Sequence, residues 1–97
     1  MRLQWTAPAR RDLRAYLYHL AVENPRAATR EANRILDALE HFATLPTDGV
    51  AVRIRGYPDP VRRWLVHPFH LYYERRPRAL VLLRLYHHAR KPIERPA

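Results

Sequence analysis

The residues of this chain that could do chemistry are histidines, a glutamate and several arginines in its second half. Acid–base cleavage of a phosphodiester needs a proton donor, a proton acceptor and cations that stabilise the negative charge of the transition state. A set of this composition can be drawn from Arg62, Glu74, Arg84 and His87, with His70 as a further titratable group. Whether the set forms one site depends on how the chain folds, because its members lie far apart in the sequence.

A cluster of cations closes the apolar segment 78–91, RALVLLRLYHHARK. The cations that end it are His87, His88, Arg90 and Lys91. A metal site is disfavoured, because adjacent strand residues face opposite sides and the chain contains no cysteine. We therefore expect neither a metal nor another cofactor at this cluster.

The net charge of +9 is unevenly distributed. Residues 1–49 hold seven arginines against six acidic residues, whereas residues 50–97 hold ten arginines and one lysine against three acidic residues. The excess predicts an acidic partner that meets the second half of the chain. Guanidinium groups suit bidentate contact with carboxylate or phosphate, although a GC-rich genome would give the same preference for arginine. Nonspecific contact with DNA or RNA through phosphates is a further alternative.

Length and composition predict a single domain over residues 1–97. With 97 residues and 47% hydrophobic residues, the chain can form one modest core. It has no recognisable signal peptide and no apolar stretch long enough to span a bilayer. We expect a soluble, cytoplasmic protein without a membrane partner.

Two amphipathic helices follow a short first strand at 3–6. Leu13, Tyr16, Leu17 and Leu20 have the spacing of a helix that buries one side, which leaves Asp12 on the predicted solvent side. Asn24-Pro25 then predicts the start of a second helix, with Asn as the N-cap. The second helix should end before Pro46, and the pair should form an antiparallel hairpin.

Four further strands are predicted after Gly49. They cover residues 50–55, 61–66, 69–75 and 79–86, and short turns connect them. Connections this short favour an antiparallel meander. Strands grouped after a helical pair predict an α+β fold in which the hairpin covers one face of the sheet. The aromatic residues of these strands are assigned to the core beneath the hairpin: Trp64, Phe69, Tyr72 and Tyr73.

Arg84 lies within the most apolar of these strands. Strict alternation places it on one face with Leu82 and Tyr86, while Leu83 and Leu85 face the other side. Because both faces are apolar, the strand should be central in the sheet. A charge there needs a partner or a rim position. Two interpretations remain open: an ion pair with Glu74 or a rim position, and a cation presented to the target.

Several short motifs together resemble the ParE branch of the RelE/ParE toxin superfamily. They are the helix start APARRDL at 7–13, ENPRAA at 23–28, LYYER at 71–75 and LLRLYHHAR at 82–90. The resemblance covers nearly the whole chain in the family's order. It implies a β-α-α-β-β-β arrangement with the helical hairpin packed on a twisted antiparallel sheet, in agreement with the elements predicted above.

The resemblance also implies a function. A ParE-type toxin would inhibit DNA gyrase and would be neutralised by a ParD-like antitoxin in a hetero-oligomeric complex. The target would then meet Arg84, His87, His88, Arg90 and Lys91. The antitoxin would lie along the hairpin and the sheet edge, at Tyr16, Leu20, Arg53, Arg55 and Arg62.

The RelE branch gives the alternative function, a ribosome-dependent mRNA endoribonuclease. Its catalytic set would be Arg62, Glu74, Arg84 and His87. Against it, residues 52–55 alternate basic and apolar side chains, as an ordinary half-buried strand does. We therefore favour inhibition of gyrase by binding.

Overall fold

The computed structural model describes residues 2–46, 48–90 and 92–95. The chain forms two helices and six strands. In chain order they are β1 (Arg2–Trp5), α1 (Ala7–Glu23), α2 (Pro25–Thr44), β2 (Val50–Ile54), β3 (Val61–Val66), β4 (Phe69–Arg76), β5 (Ala79–His87) and β6 (Glu94–Arg95). The predicted elements are therefore present, together with a short sixth strand that the sequence pattern did not indicate.

Both helices begin at a capping side chain. Asn24 accepts a hydrogen bond from the Ala27 backbone N–H at 3.1 Å, and Pro25 occupies the first turn, as predicted. The Thr6 hydroxyl accepts from the Ala9 N–H at 3.2 Å and donates to the Leu83 carbonyl at 3.0 Å. The N-terminus of α1 is thereby fixed to β5, and α1 starts at Ala7.

The strands form one sheet in the order β1-β5-β4-β3-β2-β6. The meander of β2 to β5 is antiparallel, as predicted. β1 instead pairs in parallel with β5, with Leu3 opposite Leu80, so the sheet is mixed rather than wholly antiparallel. β2, which follows the helical hairpin, runs antiparallel to β1, and the three antiparallel turns from β2 to β5 then bring β5 into the same direction as β1. β5 is central, between β1 and β4.

The sheet buries apolar side chains on both faces. The helix-side core combines residues of α1 and α2 with Phe69, Leu71 and Tyr73 of β4 and with residues of β5. A second core on the opposite face contains Tyr72 and, from the C-terminal segment, Ile93. The assignment of all four aromatic residues to the helix-side core is therefore wrong for Tyr72. Adjacent strand residues face opposite sides, so Tyr72 and Tyr73 cannot share one core.

A β-bulge alters the alternation along β5. Tyr72 lies opposite Arg84, whereas Tyr73 lies opposite Leu82, so Leu83 is an extra residue in this strand. As a result Leu85 packs in the helix-side core and Tyr86 packs in the opposite core. The faces predicted for Leu85 and Tyr86 by strict alternation are therefore wrong.

Candidate functional site: the basic turn after the last long strand

The basic turn consists of residues 88–90, which follow the end of β5. The His88 backbone N–H donates to the Pro68 carbonyl at 2.9 Å, and His88 Nδ1 lies 3.0 Å from the same oxygen. The Arg90 N–H donates to the His87 carbonyl at 3.0 Å. These bonds fix the turn against the β3–β4 connection, so its side chains extend from a rigid part of the sheet.

Arg84 is bound by a side chain of the first helix. Its guanidinium donates to both carboxylate oxygens of Asp12, at 2.7 and 2.8 Å, and the Leu85 backbone N–H donates to the same carboxylate at 3.0 Å. The Asp12 side chain is 7% exposed and that of Arg84 is 24% exposed. The predicted pairing of Arg84 with Glu74 is wrong, since Glu74 instead pairs with Arg76.

Asp12 is the site residue that the sequence analysis missed. Its placement on the solvent side of α1 was wrong, because the carboxylate is buried between the helix and β5. The sequence did contain a signal. Asp12 follows the buried Ala9 by three positions and precedes Tyr16 by four, and residues at these spacings share one side of a helix.

Arg90 lies over the same cluster from the solvent side. Its guanidinium carbon is 4.2 Å from the centroid of the Tyr86 ring, and Nη1 is 3.7 Å from an oxygen of Asp12. The Arg90 side chain is 52% exposed. Arg84 also contacts the Tyr86 ring, at 5.2 Å from its centroid. The cluster therefore contains one arginine that is held inside the fold and one that is available to a partner.

The histidines of this region pack against one another and against aromatic rings. The His87 ring stacks on His88 at 4.8 Å between centroids and on Tyr16 at 5.7 Å, and His67 lies 5.5 Å from His88. Burial, followed by the nearby His88 and His67, lowers the pKa of His87 below its ordinary value. His87 should thus be neutral at pH 7. In the described part of the chain, no three His, Asp or Glu side chains are grouped so that they could hold a metal.

A concavity of about 500 Å³ lies between α1 and the ends of β4 and β5. Its lining residues include Tyr16, Phe69, His87 and Arg90. Two residues assigned to target binding, His87 and Arg90, therefore share one cavity with Tyr16, which was assigned to the antitoxin. Of the remaining target-binding residues, His88 is exposed and Lys91 lies outside the described residues.

The residues assigned to antitoxin binding divide between two surfaces. Tyr16 and Leu20 belong to α1, on the half of the sheet that contains β5. Arg53, Arg55 and Arg62 are exposed near the other edge of the sheet. β5 is three strand spacings, about 14 Å, from β2 with Arg53, and two spacings, about 10 Å, from β3 with Arg62.

The fold does not assemble the residues of the alternative catalytic set. Glu74 lies opposite Val81, and β5 extends six residues further to His87, a separation of about 20 Å. Arg62 donates to the Gly49 carbonyl at 3.1 Å, and Arg84 is held by Asp12. No acid–base pair is therefore formed by these four residues.

Comparison with known proteins identifies the class. A family model described as ParE toxin of type II toxin-antitoxin system, parDE, matches residues 3–92. A solved structure described as the chromosomal ParDE TA system from P. aeruginosa has a TM-score of 0.70 at 24% identity, over 90% of this chain and 95% of that chain. No curated protein is significantly similar in sequence. The fold and the family match define a toxin of a type II toxin–antitoxin system. The chain belongs to the ParE toxin family.

The structural similarity also agrees with the predicted fold class. The α+β prediction, with a helical hairpin on one face of the sheet, is confirmed. Among the described residues, no helix has the length and apolar character needed to cross a membrane.

Proposed function

We propose that this protein inhibits DNA gyrase by binding it, and that a ParD-like antitoxin neutralises it. The observation that carries the proposal is the exposed guanidinium of Arg90, which the Tyr86 ring and Asp12 hold at the end of β5 in a chain of the ParE toxin family. The site contains a cation that can meet an acidic surface. Inhibition would therefore come from trapping a stalled or cleaved gyrase complex, with no reaction catalysed by the toxin.

The gyrase contact is assigned to Arg90, His88 and His87, with Lys91 next to them in sequence. Arg84 has a different role in this proposal. Its bidentate bond to Asp12 keeps the end of β5 against α1, so that Arg84 supports the position of Arg90 more than it contacts the target itself.

The antitoxin is proposed to cover both surfaces that the structure separates. An amphipathic segment would gain apolar burial on the hairpin around Tyr16 and Leu20, and its acidic residues would pair with Arg53, Arg55 and Arg62. A segment that folds on contact can span such a distance. Since Tyr16 shares a cavity with His87 and Arg90, an antitoxin bound there would also block the gyrase contact.

A gyrase supercoiling assay with purified protein tests the target. We expect supercoiling to fall in the presence of the wild-type toxin and to recover with Arg90→Ala. Arg26→Ala, which removes an exposed arginine of α2, is the matched control and should inhibit like the wild type. Full inhibition by Arg90→Ala would contradict the assigned contact.

A parallel assay with translating ribosomes tests the choice of target. We expect the mRNA to stay intact at toxin concentrations that stop gyrase. Ribosome-dependent cleavage that disappears with His87→Ala, combined with unaffected gyrase, would instead support the endoribonuclease. The product of the neighbouring gene, added in stoichiometric amount, should restore supercoiling.

A further inference from the structure

Three arginines form an uncovered face near the β6 edge of the sheet. Arg53 of β2 and Arg95 of β6 lie directly opposite each other in the strand register. Ile54 belongs to the core on the opposite face, so Arg53 points to the helix side, and Arg62 does so as well because it pairs with Tyr73 of the helix-side core. The three arginines are exposed, and among the described residues no member of β2 or β6 contributes to the helix-side core.

Each guanidinium of this arginine face is oriented by the backbone. The three hydrogen bonds are each 3.1 Å long and run from Arg53 to the Pro58 carbonyl, from Arg62 to the Gly49 carbonyl and from Arg95 to the Tyr57 carbonyl. A guanidinium has five N–H donors, so a single carbonyl leaves most of them available. The side chains are thus positioned while their charges remain directed to solvent.

No carboxylate neutralises the arginine face within the described part of the chain. Glu94, next to Arg95, points to the opposite face, where it accepts hydrogen bonds from Arg63 and Tyr72. Asp59 makes no ion pair with any of the three arginines. Like charges directly opposite on neighbouring strands are destabilising. An external anion would relieve the repulsion between Arg53 and Arg95.

We propose that the arginine face binds the phosphate backbone of duplex DNA. Arginine matches phosphate oxygens through bidentate hydrogen bonds, and phosphate contacts need no sequence-specific or apolar pocket. Beside Arg53 and Arg95 the apolar neighbours Ala51 and Pro60 are small and exposed, and Trp64 near Arg62 already packs against the helix-side core, so an acidic peptide would gain little burial here. The toxin would thereby hold DNA independently of its gyrase contact, and an antitoxin arm that reaches these arginines would compete with the DNA.

Fluorescence anisotropy with two labelled duplexes of unrelated sequence tests this proposal on the full chain. The test variant combines Arg53→Gln, Arg62→Gln and Arg95→Gln. Because each phosphate contact contributes about 0.9 to the slope of log affinity against log salt, the variant's slope should be shallower by about 2.7. When the salt rises from 50 to 200 mM, the factor by which the affinity for DNA falls should then be about 40-fold smaller for the variant than for the wild type. This difference should be the same for both duplexes.

A second triple variant separates the arginine face from general charge. Arg10→Gln, Arg26→Gln and Arg30→Gln remove three exposed charges from the helical hairpin and should retain the wild-type slope. Equal loss of slope in both variants would overturn the proposal. The proposal would also be overturned if the wild-type chain did not bind DNA. If that chain instead bound a polyglutamate peptide through the same three arginines, the partner would be an acidic protein. Circular dichroism melting verifies that both variants are folded.

Discussion

At the residue scale, one buried carboxylate organises the end of β5. Asp12 accepts two hydrogen bonds from Arg84 and one from the Leu85 backbone, and Arg90 lies 3.7 Å away on the outside. The hydrogen bonding that Arg84 donates to Asp12 outweighs the effect of burial and raises the pKa of Arg84. Arg84 thus stays charged and paired, which explains how a cation is accommodated in the most apolar strand of the chain.

Replacement of Arg84 by alanine should destabilise the fold. The Asp12 carboxylate would lose its bidentate partner while remaining buried, with only the exposed Arg90 nearby, a change that costs about 3 kcal/mol. Arg90→Ala is the control, because its guanidinium is largely exposed, and it should cost about 1 kcal/mol or less. Urea unfolding measures both free energies. If Arg84→Ala changed the stability no more than Arg90→Ala, the structural role assigned to Arg84 would be wrong.

At the element scale, the C-terminal segment completes the second core. Ile93 packs against the face of the sheet opposite the helices, and Glu94 of β6 accepts hydrogen bonds from Arg63 at 2.8 Å and from the Tyr72 hydroxyl at 2.7 Å. Burial opposes ionisation of Glu94, but the bonds from Arg63 and Tyr72 outweigh it and lower the pKa of Glu94. Burial is the main cause that raises the pKa of Tyr72, and the hydrogen bond to the Glu94 carboxylate raises it further.

The stabilisation by Glu94 should depend on pH. A carboxyl whose pKa is lower in the folded than in the unfolded state contributes stability above the unfolded pKa and loses it as the pH falls through the folded pKa. Glu94→Gln should therefore reduce the free energy of unfolding at pH 7 and make little difference in acid. Urea unfolding across this range measures the effect, with the exposed Glu40→Gln as control. A deficit of equal size at both ends of the range would contradict the assignment.

At the scale of the whole molecule, two separate places expose positive charge from residues 50–97. The basic turn is at the end of β5, and the arginine face is near the β6 edge. The helical hairpin supplies a contrasting surface, on which Tyr18 and Val22 are each 70% exposed. Exposed apolar area beside positive charge fits a partner that is both acidic and amphipathic.

Charge and apolar contacts should affect different rates of antitoxin binding. Arg53→Gln combined with Arg62→Gln should slow association and weaken its dependence on salt, because rim charges steer the encounter. Leu20→Ala should instead accelerate dissociation, because it removes apolar contact area. Stopped-flow measurements with the neighbouring gene's product give both rates, and Arg30→Gln is the control. Association that is independent of salt for the wild type would exclude electrostatic steering.

The order of elements followed from local features of the sequence. Hydrophobic spacing at Leu13, Tyr16 and Leu20 predicted α1, and the capping capacity of Asn24 with the fixed φ of Pro25 predicted the start of α2. The apolar run in β5 predicted a central strand. These features are local, because backbone preference and side-chain period act within one or two turns. The ParE resemblance predicted the family from motifs spread along the chain, and the match over residues 3–92 confirmed it.

The pairings between distant residues were decided by the tertiary structure. The bulge at Leu83, opposite Tyr72 and Tyr73, placed Leu85 and Tyr86 on the faces opposite to those predicted by alternation. No local pattern signals an extra residue in a strand whose two faces are both apolar. The pairing of Arg84 with Asp12 joins residues 72 positions apart and depends on how α1 crosses β5. The arginine face likewise exists because β6 returns to β2, which sets Arg95 opposite Arg53. Such contacts depend on packing geometry that is fixed only when the whole sheet has formed.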